Sequence, residues 1–291
     1  MSEVPLLVTA PALLVTAPPW PVLSVEGPDS ATWLNGIVTC DTTAVSAESG
    51  GWGLLLGKTG KIQAELQLVG RSDRLFVAVS GGDAAAVSDL LEHYLVMEDA
   101  ELRPAPEVRF VCVFGTHAAE RAAAFAPSPS AMPWAGGEGA AFAVLESELS
   151  AVLDQARLQG ARIEVELPAA TRVALGLPSY GVDFGQKDNP HEASLDRRAV
   201  SWSKGCYLGQ EVVCMQDMRG RVKRRLARLE GHDVPWQNGS DVVCEDQTHV
   251  GLVTTVAGGQ AIASLSAPWF EPGRELYVLG RPVRVLPLSG Q

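Results

Sequence analysis

Residues 204–211 read "KGCYLGQE", with an ammonium, a thiol, a phenol, two glycines, a carboxamide and a carboxylate inside eight positions. Gly205 and Gly209 permit a tight or left-handed backbone and close approach by a flat ligand. Tyr207 offers an aromatic face and a hydroxyl. Gln210 can donate and accept, and Glu211 can take two parallel N–H bonds. Lys204 supplies a charge for an anionic group. A short helix over Gln210–Met218 would aim its N-terminal amides at this turn. Such a turn suits a planar heteroaromatic ligand with donors on one edge and negative charge at its far end.

Cys206 has two readings. Lys204 and a helix start could lower its pKa and make it a nucleophile. A free cysteine is more often a small buried hydrophobe, and the residue types favour that, because His191 is the nearest histidine in sequence. Downstream, Arg219, Arg221, Lys223, Arg224, Arg225 and Arg228 form a cationic stripe. It reads either as the solvated face of a strand or as a landing site for a polyanion, such as oligo-glutamate or RNA.

These residues need a frame. The chain has 291 residues, 46% of them apolar and 20% charged, enough for a large core and more than one packed unit. A net charge of −11 argues against broad nucleic-acid or acidic-membrane binding. The N-terminal "LLVTAP" occurs twice, at Leu6–Pro11 and Leu13–Pro18. With Glu3 and several prolines it reads as an extended lead-in rather than a signal peptide. No apolar run reaches the roughly 20 residues of a membrane helix. Five scattered cysteines without a C-x-x-C pair give no disulfide framework and no metal site, which fits a reduced, cytoplasmic protein.

Strand patterns fall at Val22–Glu26, Trp52–Leu56, Lys61–Gly70 and Leu75–Val79, with "GKTG" reversing the chain between the second and third. Helices are expected after Asp29 and from about Asp83, where Val87, Leu90, Leu91 and Tyr94 stripe one face. A similar set follows: strands at Val108–Phe114, Phe142–Leu145 and Arg162–Leu167, and helices in "HAAERAAAFA" and around Leu149–Ala156. Alternating strands and helices in two halves imply an α+β body of the split βαβ, ferredoxin-like kind over 1–220. Residues 168–203 lack periodicity and read as a connector or functional segment. Short strands from Val242 to Leu286 imply a small antiparallel β-barrel over 221–291.

"KGCYLGQE" followed by "RGRVKRRL" resembles the signature of the YgfZ-type folate-binding proteins, relatives of the glycine-cleavage T-protein, a tetrahydrofolate-dependent aminomethyltransferase. "LNGIVTCD", "LLLGKTGKIQAEL", "RVALGLPSYGVDF" and "VGLVTTVAGGQAIASL" extend the resemblance along most of the chain. It implies a T-protein-like three-part fold, its body made of two intertwined subdomains, with a central channel that binds tetrahydrofolate as cofactor. Arg172, Asp41 and the run Lys204, Gly205, Cys206, Tyr207, Gly209, Gln210 and Glu211 would line that channel. It also implies an accessory role in iron–sulfur cluster assembly or maintenance, serving iron–sulfur proteins or their machinery and tRNA-modifying enzymes. Ala64 and Glu65 stand where the transferases carry aspartates, which points away from classical aminomethyl transfer. Glu65, with Cys206, is the candidate catalytic group should the chain instead be a one-carbon transferase. Met215 replaces an expected cation, whose contact Arg219 or Arg221 could take over.

Overall fold

The computed structural model describes residues 13–71, 74–126, 130–132 and 139–288. The first copy of the N-terminal repeat lies outside the described residues.

The first sheet is made by β2 (Val22–Glu26), β3 (Gly51–Leu56), β4 (Ile62–Arg71), β5 (Arg74–Gly81) and β6 (Glu101–Pro104), in the order β3-β4-β5-β2-β6. Every pairing in it is antiparallel. Strand β4 is buried along most of its length on both faces. Its Ala64, Leu66 and Leu68 pack outward with Leu34, Val87 and Leu91 of α1 (Ser30–Asn35) and α2 (Ala84–His93). Helix α2 is capped by Asp83, whose carboxylate accepts from the amides of Ala85 and Ala86.

The second sheet runs β10-β1-β7-β9-β8, from β1 (Leu14–Thr16), β7 (Val108–Phe114), β8 (Ser130–Met132), β9 (Gly139–Leu145) and β10 (Arg162–Glu164). Only the β1–β10 pair is parallel. Helices α3 (Ala118–Ala122) and α4 (Glu146–Leu158) cover its outer face through Ala118, Ala122, Ala156 and Leu153. The second copy of the N-terminal repeat supplies β1, so the expected lead-in is a sheet strand here.

Between the sheets lies one core. Trp52, Leu54 and Leu56 of β3, Val69 of β4 and Phe76 and Ala78 of β5 meet Phe110, Cys112 and Phe114 of β7 and Ala141 and Ala143 of β9. Period-two alternation produces this arrangement, because neighbouring residues of each strand face opposite layers. The connector 168–203 holds one short helix, α5 (Ala169–Ala174). It contributes Val173, Leu177, Phe184 and Leu195 to the same core.

Helix α6 (Gln210–Arg219) leads into the closed antiparallel barrel of β11 (Arg224–Glu230), β12 (Asp241–Val243), β13 (His249–Ala257), β14 (Gln260–Ser266), β15 (Glu275–Val278) and β16 (Arg281–Leu286). The cationic stripe thus supplies the barrel's first strand. Arg224 pairs with Asp188, and Arg225 with Asp196. Exposed Arg219, Arg221 and Lys223 precede it. No helix among the described residues is long and apolar enough to cross a membrane.

Candidate functional site

A cavity of about 680 Å³ opens where the two sheets, α5 and the segment Leu177–Ser179 meet. That volume lies within the range for small-molecule sites. Its floor is the inner face of the first sheet: Trp52 of β3, Glu65 and Gln67 of β4, and Ser80 of β5. Trp52 and Gln67 are register partners, and Glu65 and Gln67 alternate on one strand, so all point the same way. Thr16, Phe114, Leu167 and Pro178 form walls, with Arg162, Glu164 and Glu166 among the charged lining residues.

Glu65 is 8% exposed. The Trp52 indole Nε1 donates to its Oε1 at 2.9 Å, and no group among the described residues donates to Oε2. Burial pushes its carboxyl up to about 7, against the lowering influence of the Trp52 hydrogen bond, Arg172 and Arg198. Around neutral pH Glu65 therefore exchanges between acid and carboxylate. The Ser80 hydroxyl donates to the Glu65 carbonyl and lies 3.4 Å from Gln67 Nε2, leaving the covered Gln67 Oε1 without a partner among the described residues.

Arg172 lines the same cavity and also clasps the barrel to the body. Its Nη1 donates to Asp183 Oδ2 at 2.6 Å and to the Leu177 carbonyl, and its Nη2 donates to Thr255 Oγ1. Asp183 Oδ1 accepts from the hydroxyls of Thr254 and Thr255, and Oδ2 from the Ser179 amide. The buried carboxylate is thus fully engaged.

Lys204 to Glu211 do not line this cavity, against the expectation that they face Arg172 across one channel. Lys204 Nζ donates to the carbonyls of Val38 and Cys40, both at 2.7 Å, and sits 5.3 Å from the Tyr207 ring centroid. Burial draws its ammonium down to about 8, so it stays charged at neutral pH. Tyr207 is packed in the central core, and its covered hydroxyl finds no partner among the described residues. Burial raises its pKa.

Gly209 precedes α6 with φ +78, and a Cβ there would lie 2.7 Å from the Gly57 carbonyl. Gly60, on the facing hairpin, is equally pressed against Val212. Both glycines let the hairpin and helix touch. Gly205 has open space around it, Gln210 is half-buried, and Glu211 is exposed in the first turn of α6. Cys206 is exposed, so the buried-hydrophobe reading does not hold; Cys214 on α6 is half-buried. Asp41 also lies off the cavity lining, accepting from the amide and hydroxyl of Thr43 as a helix cap. These contacts make the octapeptide a joint between the β3–β4 hairpin, the segment after α1 and the helix α6 that leads into the barrel.

Of the residues singled out in the sequence, Glu65 and Arg172 therefore share the cavity. Sequence reasoning missed Trp52, Gln67 and Arg198. The Arg198 guanidinium lies 4.9 Å from the Trp52 ring centroid. A signal for the floor was present: Glu65 and Gln67 are polar at alternate positions of a strand otherwise built for burial. Among the described residues no cluster of His, Cys, Asp or Glu is placed to hold a metal ion.

The fold, two packed sheets followed by a closed barrel, is shared with a glycine-cleavage aminomethyltransferase. The aminomethyltransferase T of the glycine cleavage system from Bartonella henselae superposes with a TM-score of 0.79 at 17% identity, over 97% of this chain and 87% of that one. In sequence the chain is similar to the tRNA-modifying proteins YgfZ. It is 26% identical to that of Cronobacter sakazakii, over 80% of this chain and 75% of the relative. With the Yersinia enterocolitica protein the identity is 24%, over 81% and 80%. The resemblance to YgfZ-type proteins on a T-protein fold thus holds in both sequence and structure. No protein-family model matches the chain.

Proposed function

We propose that the chain binds tetrahydrofolate in the cavity between its sheets and acts as an accessory protein for iron–sulfur proteins, among them enzymes that modify tRNA. The observation that carries the folate reading is the cavity itself: ligand-sized, with Trp52 and Phe114 on its lining and Glu65 Oε2 left without a partner. These residues fit a flat heterocycle with N–H donors at one end. Glu65 would hold those donors, Trp52 and Phe114 would flank the ring, and Arg172 would supply positive potential. Tetrahydrofolate itself would supply one-carbon chemistry. The tRNA arm draws on what the relatives are called.

Calorimetry tests the binding. Tetrahydrofolate should bind the purified protein, and Ala169→Trp, at an exposed lining position, should weaken it at least about tenfold by narrowing the entrance. Absence of heat with every folate, polyglutamates included, would remove the reading. For the accessory role, cells without the protein should show undermodified tRNA at positions made by iron–sulfur enzymes; fully modified tRNA argues against it.

One observation favours a second reading, a tetrahydrofolate-dependent one-carbon transferase: a buried carboxyl with one oxygen free of donors stands in the cavity. Folate-dependent transfer from candidate amines, lost in Glu65→Gln, would support it. The absence of transfer in the unaltered protein would end it.

A further inference from the structure

Glu65, Trp52 and Arg198 form a chain of contacts leading out of the cavity. Trp52 holds Glu65 Oε1 at 2.9 Å, and Arg198 lies against the indole face. Arg198 Nη1 donates to the Gly176 carbonyl at 3.0 Å, while its Nη2 is covered and has no partner among the described residues. A cation with unspent donors is therefore held behind the buried carboxyl of the cavity floor, which keeps one oxygen free. We propose that Trp52 and Arg198 are positioning residues that act through Glu65, and that filling the cavity with an N–H-donating heterocycle expels the proton from Glu65.

The balance is simple. Protonated Glu65 loses H⁺ to solvent, and the ligand's N–H then donates to Oε2 of the carboxylate. Oε1 keeps the Trp52 donor throughout. A neutral carboxylic acid already carrying a proton on Oε2 would meet the ligand's N–H as donor against donor, so binding selects the ionised form. The groups facing Glu65 agree with that choice. Trp52 from β3 donates to it, and Arg172 from α5 and Arg198 from the connector bring positive charge. Ser80 from β5 donates to its backbone, and Gln67 is neutral. Glu164 and Glu166 line the same cavity with Arg162, and Arg162 pairs with Glu164. Arg172 is committed to Asp183, which leaves Arg198 as the less engaged cation. Burial draws the Arg198 pKa down to about 10 against the raising influence of Glu65, so it remains charged wherever Glu65 titrates.

The ligand class, a cyclic amidine or lactam with adjacent N–H groups, rests on the folate reading; the proton device rests on the geometry. Two measurements keep them apart. The first follows the Glu65 carboxyl by carbon NMR in the protein without ligand. Its midpoint should lie near neutrality, rise by about half a pH unit or more in Arg198→Met, and stay close to the unaltered value in Arg198→Lys. Trp52→Phe, which removes the N–H donor together with the pyrrole ring, should raise it as well, and serves if Arg198→Met does not fold. A merely structural role would leave the midpoint in place, and an unmoved midpoint overturns the inference.

The second is calorimetry of tetrahydrofolate binding between about pH 6 and about pH 8 in buffers of different ionisation enthalpy. Affinity should rise with pH, approaching tenfold per unit below the midpoint, with proton release that vanishes in Glu65→Gln. Binding that is flat or falling with pH overturns the inference while leaving the folate site standing. No binding at all, beside midpoints that move as expected, overturns the folate reading and leaves the device.

Discussion

The octapeptide joint and the cavity floor both gather unlike functional groups, and they differ in where those groups stand relative to the cavity. In the joint, Lys204 spends its charge on the Val38 and Cys40 carbonyls, Tyr207 is sealed into the core, and Gly209 presses on the Gly57 carbonyl. On the floor, Glu65 keeps an oxygen without a donor beside open space. A dense run of chemistry in the sequence can thus be the grammar of a tight turn. The group that matters for a ligand is one that stands on a cavity with hydrogen bonds the fold has not used up.

That contrast can be broken most sharply at the clasp between body and barrel. Asp183→Ala should destabilise the protein by about 3–5 kcal/mol, because Arg172 would be left as an uncompensated, largely buried cation. Urea unfolding measures this, and a loss below about 1 kcal/mol would show the clasp to be dispensable. Next comes the joint. Gly209→Ala should cost about 2–3 kcal/mol, from a left-handed backbone and a clash with a carbonyl that cannot swing aside. The folded fraction should still bind ligand with unaltered affinity.

Glu65→Gln separates the two regions by pH. Its folded carboxyl pKa is raised to about 7 from an ordinary 4.5. The folded state therefore holds the proton more tightly, and that contribution is present at low pH and lost as pH climbs through 7. The glutamine variant should match the unaltered protein near pH 4 and be more stable by about 2–3 kcal/mol near pH 8. Equal stability at both would show that Glu65 is not held in the burial seen here. The smallest expected effect belongs to Lys204→Met. Losing two charge-assisted bonds to carbonyls should cost about 1–2 kcal/mol, while tetrahydrofolate affinity changes less than about twofold. A tenfold loss of affinity without loss of stability would return the octapeptide to the binding site.

Much of the frame could be read from residue order alone. The β3–β4 hairpin, the Asp83-capped α2, the α4 stripe and most of the barrel strands fall where period-two and helical patterns put them, with the ends shifted by a few residues. Short elements such as β1, β6 and α5 escaped, since three to six residues hold too little periodicity to stand out. Strand β11 is one of the two readings that the cationic stripe allows, the face of a strand; what the sequence could not show is that the partners of Arg224, Arg225 and Arg228, namely Asp188, Asp196 and the Ala174 carbonyl, lie in the connector.

By itself the sequence determined the kind of molecule: the α+β body, the barrel, the family likeness, and two residues of the cavity, Glu65 and Arg172. The body and barrel follow from local alternation, and Glu65 and Arg172 from the short motifs that carry the family likeness, all of which a chain keeps wherever it folds. Only the tertiary structure decided that Lys204 to Glu211 are a joint, that Cys206 is exposed, and that Trp52 and Arg198 stand behind Glu65. Whether a donor is free or spent depends on which distant carbonyl or ring comes within about 3 to 5 Å of it, and that distance belongs to the packing of whole sheets against one another.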